Sequence, residues 1–144
     1  ACGEGMWEGI EIRGYSSVAQ GSYNNSPQGW VRAFNSSRIE NAWRGVVVAE
    51  VSDPLTSVFP LTVSGTTGGI IQASNNCRFT NNYISALFMS YTTPTNATDN
   101  NFSDFNRCIF ETTDALWDQN ATAPFAHVIL WDTKGITFRG NTFY

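Results

Sequence analysis

Charge is scarce in this chain. Charged side chains make up 14% of its 144 residues and sum to −4. The Lys and Arg residues form no cluster, so a nucleic-acid backbone has nothing to grip and an anionic membrane surface little to attract. Histidine is nearly absent. His127 stands alone, which excludes any metal cluster or catalytic triad needing a second imidazole and leaves it a structural role at a strand edge. No residue set points to a cofactor. No apolar run reaches the roughly 18 residues of a transmembrane helix, and no charged-then-apolar leader opens the chain. The opening "ACGEGMW" reads as a mature form or a fragment without its targeting segment. Asn-Gly and Asp-Gly are also missing. A β-sandwich or jelly roll, the alternative fold, would need such tight hairpin turns between neighbouring strands.

What is present is Asn, Ser, Thr and Gly at the polar positions, as in an extracellular surface of many turns. Beta-branched and aromatic residues break every window in which a helical stripe could start. "GVVVAEV", "GIIQA" and "HVILW" instead read as short strands. The class is all-β.

The chain also repeats itself. "VRAFNSSRIENA" from Val31, "IQASNNCRFTNN" from Ile71, "FSDFNRCIFETT" from Phe102 and "LWDTKGITFRGN" from Leu130 align without gaps. Val31, Ile71, Phe102 and Leu130 share the first position, and Ile39, Phe79, Phe110 and Phe138 the ninth. Ser37, Cys77, Cys108 and Ile136 share the seventh. These odd positions are apolar or small and face inward, while the even ones between them are mostly polar. Asn, Thr or Gly then marks a corner. A further strand follows in "WRGVVV" from Trp43 and "YISALF" from Tyr83, and "WEGIEI" from Trp7 matches these with no copy before it. The unequal spacing places insertions in loops, chiefly "DPLTSVFPLTVSGTTG" and "TTPTNATDN".

Such copies predict a parallel β-helix of about four to five coils, in which equivalent residues stack about 4.8 Å apart. Cys77 then lies over Cys108. Their spacing suits a disulfide, but side chains on in-register parallel strands point the same way and oppose its dihedral, so both are expected buried and reduced, with Cys2 paired to neither. A terminal coil would expose unpaired backbone and a slice of core. The chain is therefore expected to be one segment, 1–144, of a longer protein, or to have its ends covered by other segments, a partner protein or a copy of itself.

The run "MWEGIEIRG", "SRIENAWRGVVV", "GGIIQASNNCRFTNNYISALF", "NRCIFE" and "HVILWDTKGITFRGNTF" resembles the right-handed parallel β-helix regions, of pectin-lyase-like type, in large secreted surface proteins of Bacteroidetes-type bacteria. Many of these are type IX secretion substrates. The resemblance implies an extracellular or cell-surface location and a structural or adhesive role. It also brings polysaccharide lyases and hydrolases into view as the alternative. The best carboxylate pair is Asp104 with Asp132, both at the third position of adjacent copies; a backbone-capping role in Asx turns is the plainer account of them. No catalytic, metal or cofactor site is assigned. Trp131, Trp30, Trp43, Trp117 and Tyr91 are candidates for a sugar-stacking platform or for core beneath a long loop. Sequons at Asn24, Asn35, Asn96, Asn101 and Asn120 carry meaning only in a eukaryotic secretory pathway.

Overall fold

The computed structural model describes residues 5–21, 27–52, 62–91, 100–116 and 123–144. All the regular structure among them is strand. The first pass of the chain forms β1 (Trp7–Glu11), β2 (Trp30–Ala33) and β3 (Arg38–Glu40), and the second forms β4 (Ala42–Val48), β5 (Ile70–Ser74) and β6 (Arg78–Thr80). A third gives β7 (Ile84–Phe88), β8 (Asp104–Asn106) and β9 (Ile109–Glu111). The last gives β10 (Ala126–Leu130), β11 (Thr137–Arg139) and β12 (Thr142–Phe143).

Three four-stranded sheets result, sheet A in the order β1-β4-β7-β10, sheet B β2-β5-β8-β11 and sheet C β3-β6-β9-β12. Each pass thus contributes one strand to every sheet, forming a rung. Every strand pairing is parallel, consistent with a parallel β-solenoid and not with a sandwich of hairpins. The one antiparallel contact among the described residues is an isolated bridge between Val51 and Thr62.

The core runs up the middle as columns. On sheet C, Ile39 pairs with Phe79 and Phe79 with Phe110, as the repeat predicts. On sheet B, Val31 pairs with Ile71, again as predicted. The repeat then slips. Gln72 pairs with Asp104, which leaves Phe102 outside the strand and 49% exposed. Phe138 pairs with Phe105 instead of Phe110, and Phe143 takes the place over Phe110. Leu130 belongs to sheet A, opposite Phe88. The expected columns Val31-Ile71-Phe102-Leu130 and Ile39-Phe79-Phe110-Phe138 therefore each hold only in part, and Ile136 does not share the cysteine column.

The slip between the second and third rungs has its cause at the corner between sheets B and C. In the first two rungs it contains a pair of left-handed residues, Asn35 (φ 55°) with Ser36 (φ 64°) and Asn75 (φ 57°) with Asn76 (φ 62°). The third and fourth rungs use only one, Arg107 (φ 55°) and Gly140 (φ 58°). One residue fewer turns the same corner, so a gapless alignment cannot stay in register. Asn tolerates this backbone because its short amide compensates locally, and Gly because it has no Cβ.

Buried amides satisfy the corners that the strands leave. Asn82, 2% exposed, accepts from the Ala42 amide through Oδ1 and donates through Nδ2 to the Ile39 carbonyl. Asn141 does the same for the Cys108 amide and the Phe105 carbonyl. Gln20 and Asn101 both reach the Gly69 carbonyl. An unpaired buried backbone group costs about 1–3 kcal/mol, so each such side chain fixes a turn.

Candidate functional site

The two aspartates do not meet. Asp104 sits on β8 and receives Arg139 Nη2 at 2.9 Å. Asp132 lies just past the end of β10, with φ 46°, and accepts from Ser90 Oγ at 2.9 Å. It borders a recess of about 250 Å³ with Tyr91, Thr133 and Lys134. The register slip puts one on sheet B and the other beyond sheet A, so they form no acid–base pair.

The expected aromatic platform also separates. Trp43 is 9% exposed and stacks on Tyr83 with centroids 4.4 Å apart and planes at 14°. Leu116 and Met6 complete that cluster. Tyr91 is 2% exposed, and its hydroxyl donates to the Val18 carbonyl. Trp30 begins β2 half-buried, and Trp131 is exposed. Trp117 lies outside the described residues, as do Cys2, most of both predicted insertions and the sequons at Asn24, Asn96 and Asn120. Asn101 is buried with its amide engaged at both ends. His127 occupies edge strand β10, its ring beside the stacked pair Phe110 and Phe143, with Nε2 3.0 Å from the Tyr144 carbonyl and Nδ1 3.5 Å from Ser85 Oγ. Among the described residues no three His, Cys, Asp or Glu side chains gather in a metal-binding group.

A polar recess does exist where the repeat gives no hint of one. It opens on the outer side of sheet A near β1, has a volume of about 310 Å³ and is lined by Glu8, Glu11, Arg13 and Arg44 over Val47 and Val51. Arg13 bridges Glu11 and Glu50, at 3.1 Å to each. Arg44, only 2% exposed, forms part of the lining. A second recess of about 300 Å³ shares Arg13 and adds Glu50, Tyr15, Pro27 and Thr66. Charges of both signs side by side suit a ligand rich in hydroxyls, which donates and accepts at once. The recess follows from Gly9, whose φ of +106° accompanies a register shift between Gly9 and Ile10 against β4. That irregularity was legible only as the lone glycine in "WEGIE".

The cysteines stack as the repeat predicts. Ser37, Cys77 and Cys108 precede the paired residues Arg38, Arg78 and Ile109, and both thiols are buried and free. The hydrogen bond between Cys77 and Cys108, together with burial, pushes the Cys77 thiol well above its ordinary range.

The ends of the stack differ. At the first rung Ile12, Ala33 and Ile39 are buried, while Ile10 and Val31 are half-buried. At the last rung Phe138 is only half-buried, and Leu130 and Phe143 are 48% and 50% exposed. Trp131 and Tyr144 extend that apolar end. In comparisons with known proteins, no family model, no curated protein and no solved structure matches the chain.

Proposed function

We propose that the chain is a non-catalytic structural and adhesive segment of a right-handed parallel β-helix, of the pectin-lyase-like kind carried by secreted or cell-surface proteins of Bacteroidetes-type bacteria. Its ends are covered by other segments of a longer chain or by a partner protein. The observation that carries this reading is where the chain spends its length. The corner from sheet B to sheet C is short in every rung, while three connections from sheet A to sheet B, Glu11 to Trp30, Val48 to Ile70 and Phe88 to Asp104, and one from sheet C to sheet A, Glu111 to Ala126, are long and unequal. A constant core with variable connections at its corners suits a rigid stalk bearing contact surfaces.

Incubation with acidic and neutral polysaccharides, followed for new reducing ends and unsaturated products, should give no turnover. Turnover abolished by Asp104→Asn or Asp132→Asn would overturn the reading. The recess over sheet A favours one second reading, a polysaccharide-binding module. Saturable binding of an oligosaccharide by calorimetry, lost in Glu8→Gln, would select it.

A further inference from the structure

We infer that Cys77 and Cys108 form a two-coordinate site for a soft d10 metal ion, held between the second and third rungs inside the stack. Both residues belong to the middle rungs, so the site depends neither on what covers the ends nor on the adhesive role. Each thiol lies in the core cluster, 0% and 1% exposed. Each also follows directly on an exposed corner residue, Asn76 or Arg107, which gives an ion a short way in. The two thiols already hydrogen-bond to each other.

Geometry favours an ion over a disulfide. Arg78 pairs with Ile109, and the Ile109 amide donates to the Cys77 carbonyl at 2.9 Å, so the cysteines just before these residues stack in register. Parallel strands lie about 4.8 Å apart and point equivalent side chains the same way. A disulfide must close that spacing to about 2 Å with a dihedral near 90°. A linear S–metal–S unit instead spans about 4.6 Å, twice a metal–thiolate bond of about 2.3 Å, and so matches the rung spacing. Its axis runs along the stack and meets both Cβ–Sγ bonds at the bent angle that sulfur favours. Rotation about a linear unit is nearly free, so parallel side chains do not strain it.

Coordination number selects the ion. The same column holds Ser37 in the first rung and Asn141 in the fourth. Ser37 Oγ is engaged by the Phe34 amide and carbonyl, and the Asn141 amide by the Cys108 amide and the Phe105 carbonyl, so neither is free to ligate. Among the described residues no third His, Cys, Asp or Glu joins the pair. Zn(II), which takes four ligands, does not fit, whereas Cu(I) and Hg(II) are satisfied by two thiolates. Binding breaks two S–H bonds, forms two S–metal bonds and releases two protons, with no electron transferred. The Hg(II) product is neutral and the Cu(I) product carries one negative charge, so the apolar core holds Hg(II) the more tightly.

In a Cys2→Ser background, titration with mercuric chloride, followed by sulfur-to-mercury charge-transfer absorption, should end at one ion per chain. Two protons should be released per ion, and X-ray absorption should find two sulfur neighbours and no third ligand. Cu(I) should compete for the same site, zinc chloride should not, and the bound ion should raise the melting temperature. Cys77→Ser gives the second rung the residue that the first already carries at Ser37, so its cooperative melt should persist. Against glutathione it should hold mercury about a hundredfold less tightly, because one of two linked contacts is gone. Two ions per chain, a third ligand, equal retention in Cys77→Ser, or a lowered melting temperature on binding would overturn the site.

Discussion

Replacing Phe110 with alanine removes the middle ring of three. Phe110 is fully buried, stacked at 4.7 Å and 8° on Phe79 and at 4.8 Å and 6° on Phe143, with Phe105 tilted against it at 5.6 Å. Backbone pairing on both sides of β9 fixes the rungs at strand spacing, so the walls cannot collapse into the vacancy. The cost should lie near the upper part of the range for Phe→Ala in a core, about 4 kcal/mol. Phe143→Ala removes a ring that is already half in water and should cost about 1–2 kcal/mol. With a urea dependence of about 2 kcal/mol per molar, the Phe110 variant should unfold about 2 M earlier than the parent. Equilibrium unfolding followed by far-ultraviolet circular dichroism and tryptophan fluorescence reads both shifts. Equal losses at the two positions, or less than about 1.5 kcal/mol at Phe110, would refute the idea that the columns hold the rungs together.

Three further outcomes are expected. Glu111 is partly buried, which opposes its charge, but hydrogen bonds from Arg78 at 2.8 and 2.9 Å and from Thr80 at 2.9 Å outweigh this and hold its carboxyl below the ordinary 4.5. Its stabilising contribution is therefore complete above pH 4.5 and lost as pH falls through the lowered value. Acid titration of stability should be flatter in Glu111→Gln, and an identical profile would refute the assignment. Gly9→Ala should unfold or rearrange β1, because a Cβ there collides with the Arg44 carbonyl and φ is left-handed; a variant whose melting temperature stays within a degree or so of the parent's would contradict the described backbone. Thiol titration of the denatured, unreduced protein should find Cys2, Cys77 and Cys108 all free, and a single free thiol would mean that the stacked pair had oxidised.

The repeat made the stack legible because inward residues recur. Ile39, Phe79 and Phe110, and Cys77 with Cys108, fall where the sequence alone places them. The shorter corner accounts for the slip of Phe102 in the third copy, whereas the fourth copy was matched five residues out, with Phe138 set over Phe110 when it lies over Phe105. A usable signal was present in the phenylalanine spacing. Phe105 to Phe110 and Phe138 to Phe143 have equal separations, and aligning those pairs gives the observed register. Once the register slipped, Asp104 and Asp132 were brought together on paper and not in space. The recess around Arg44 was hidden for another reason. It depends on a bulge, and bulges answer to cross-strand geometry rather than to composition.

The rung-on-rung pairing also bears on synthesis. Each strand pairs only with its neighbours in the adjoining rungs, so a rung gains most of its stability from the one already formed beneath it. Because these neighbours lie far apart along the chain, every addition carries a loop-closure cost before any pairing is gained. Of these four rungs the first is synthesised earliest, so each later one finds a paired edge already present. Growth then runs in the direction of translation, and during elongation the exposed surface is always the most recent rung.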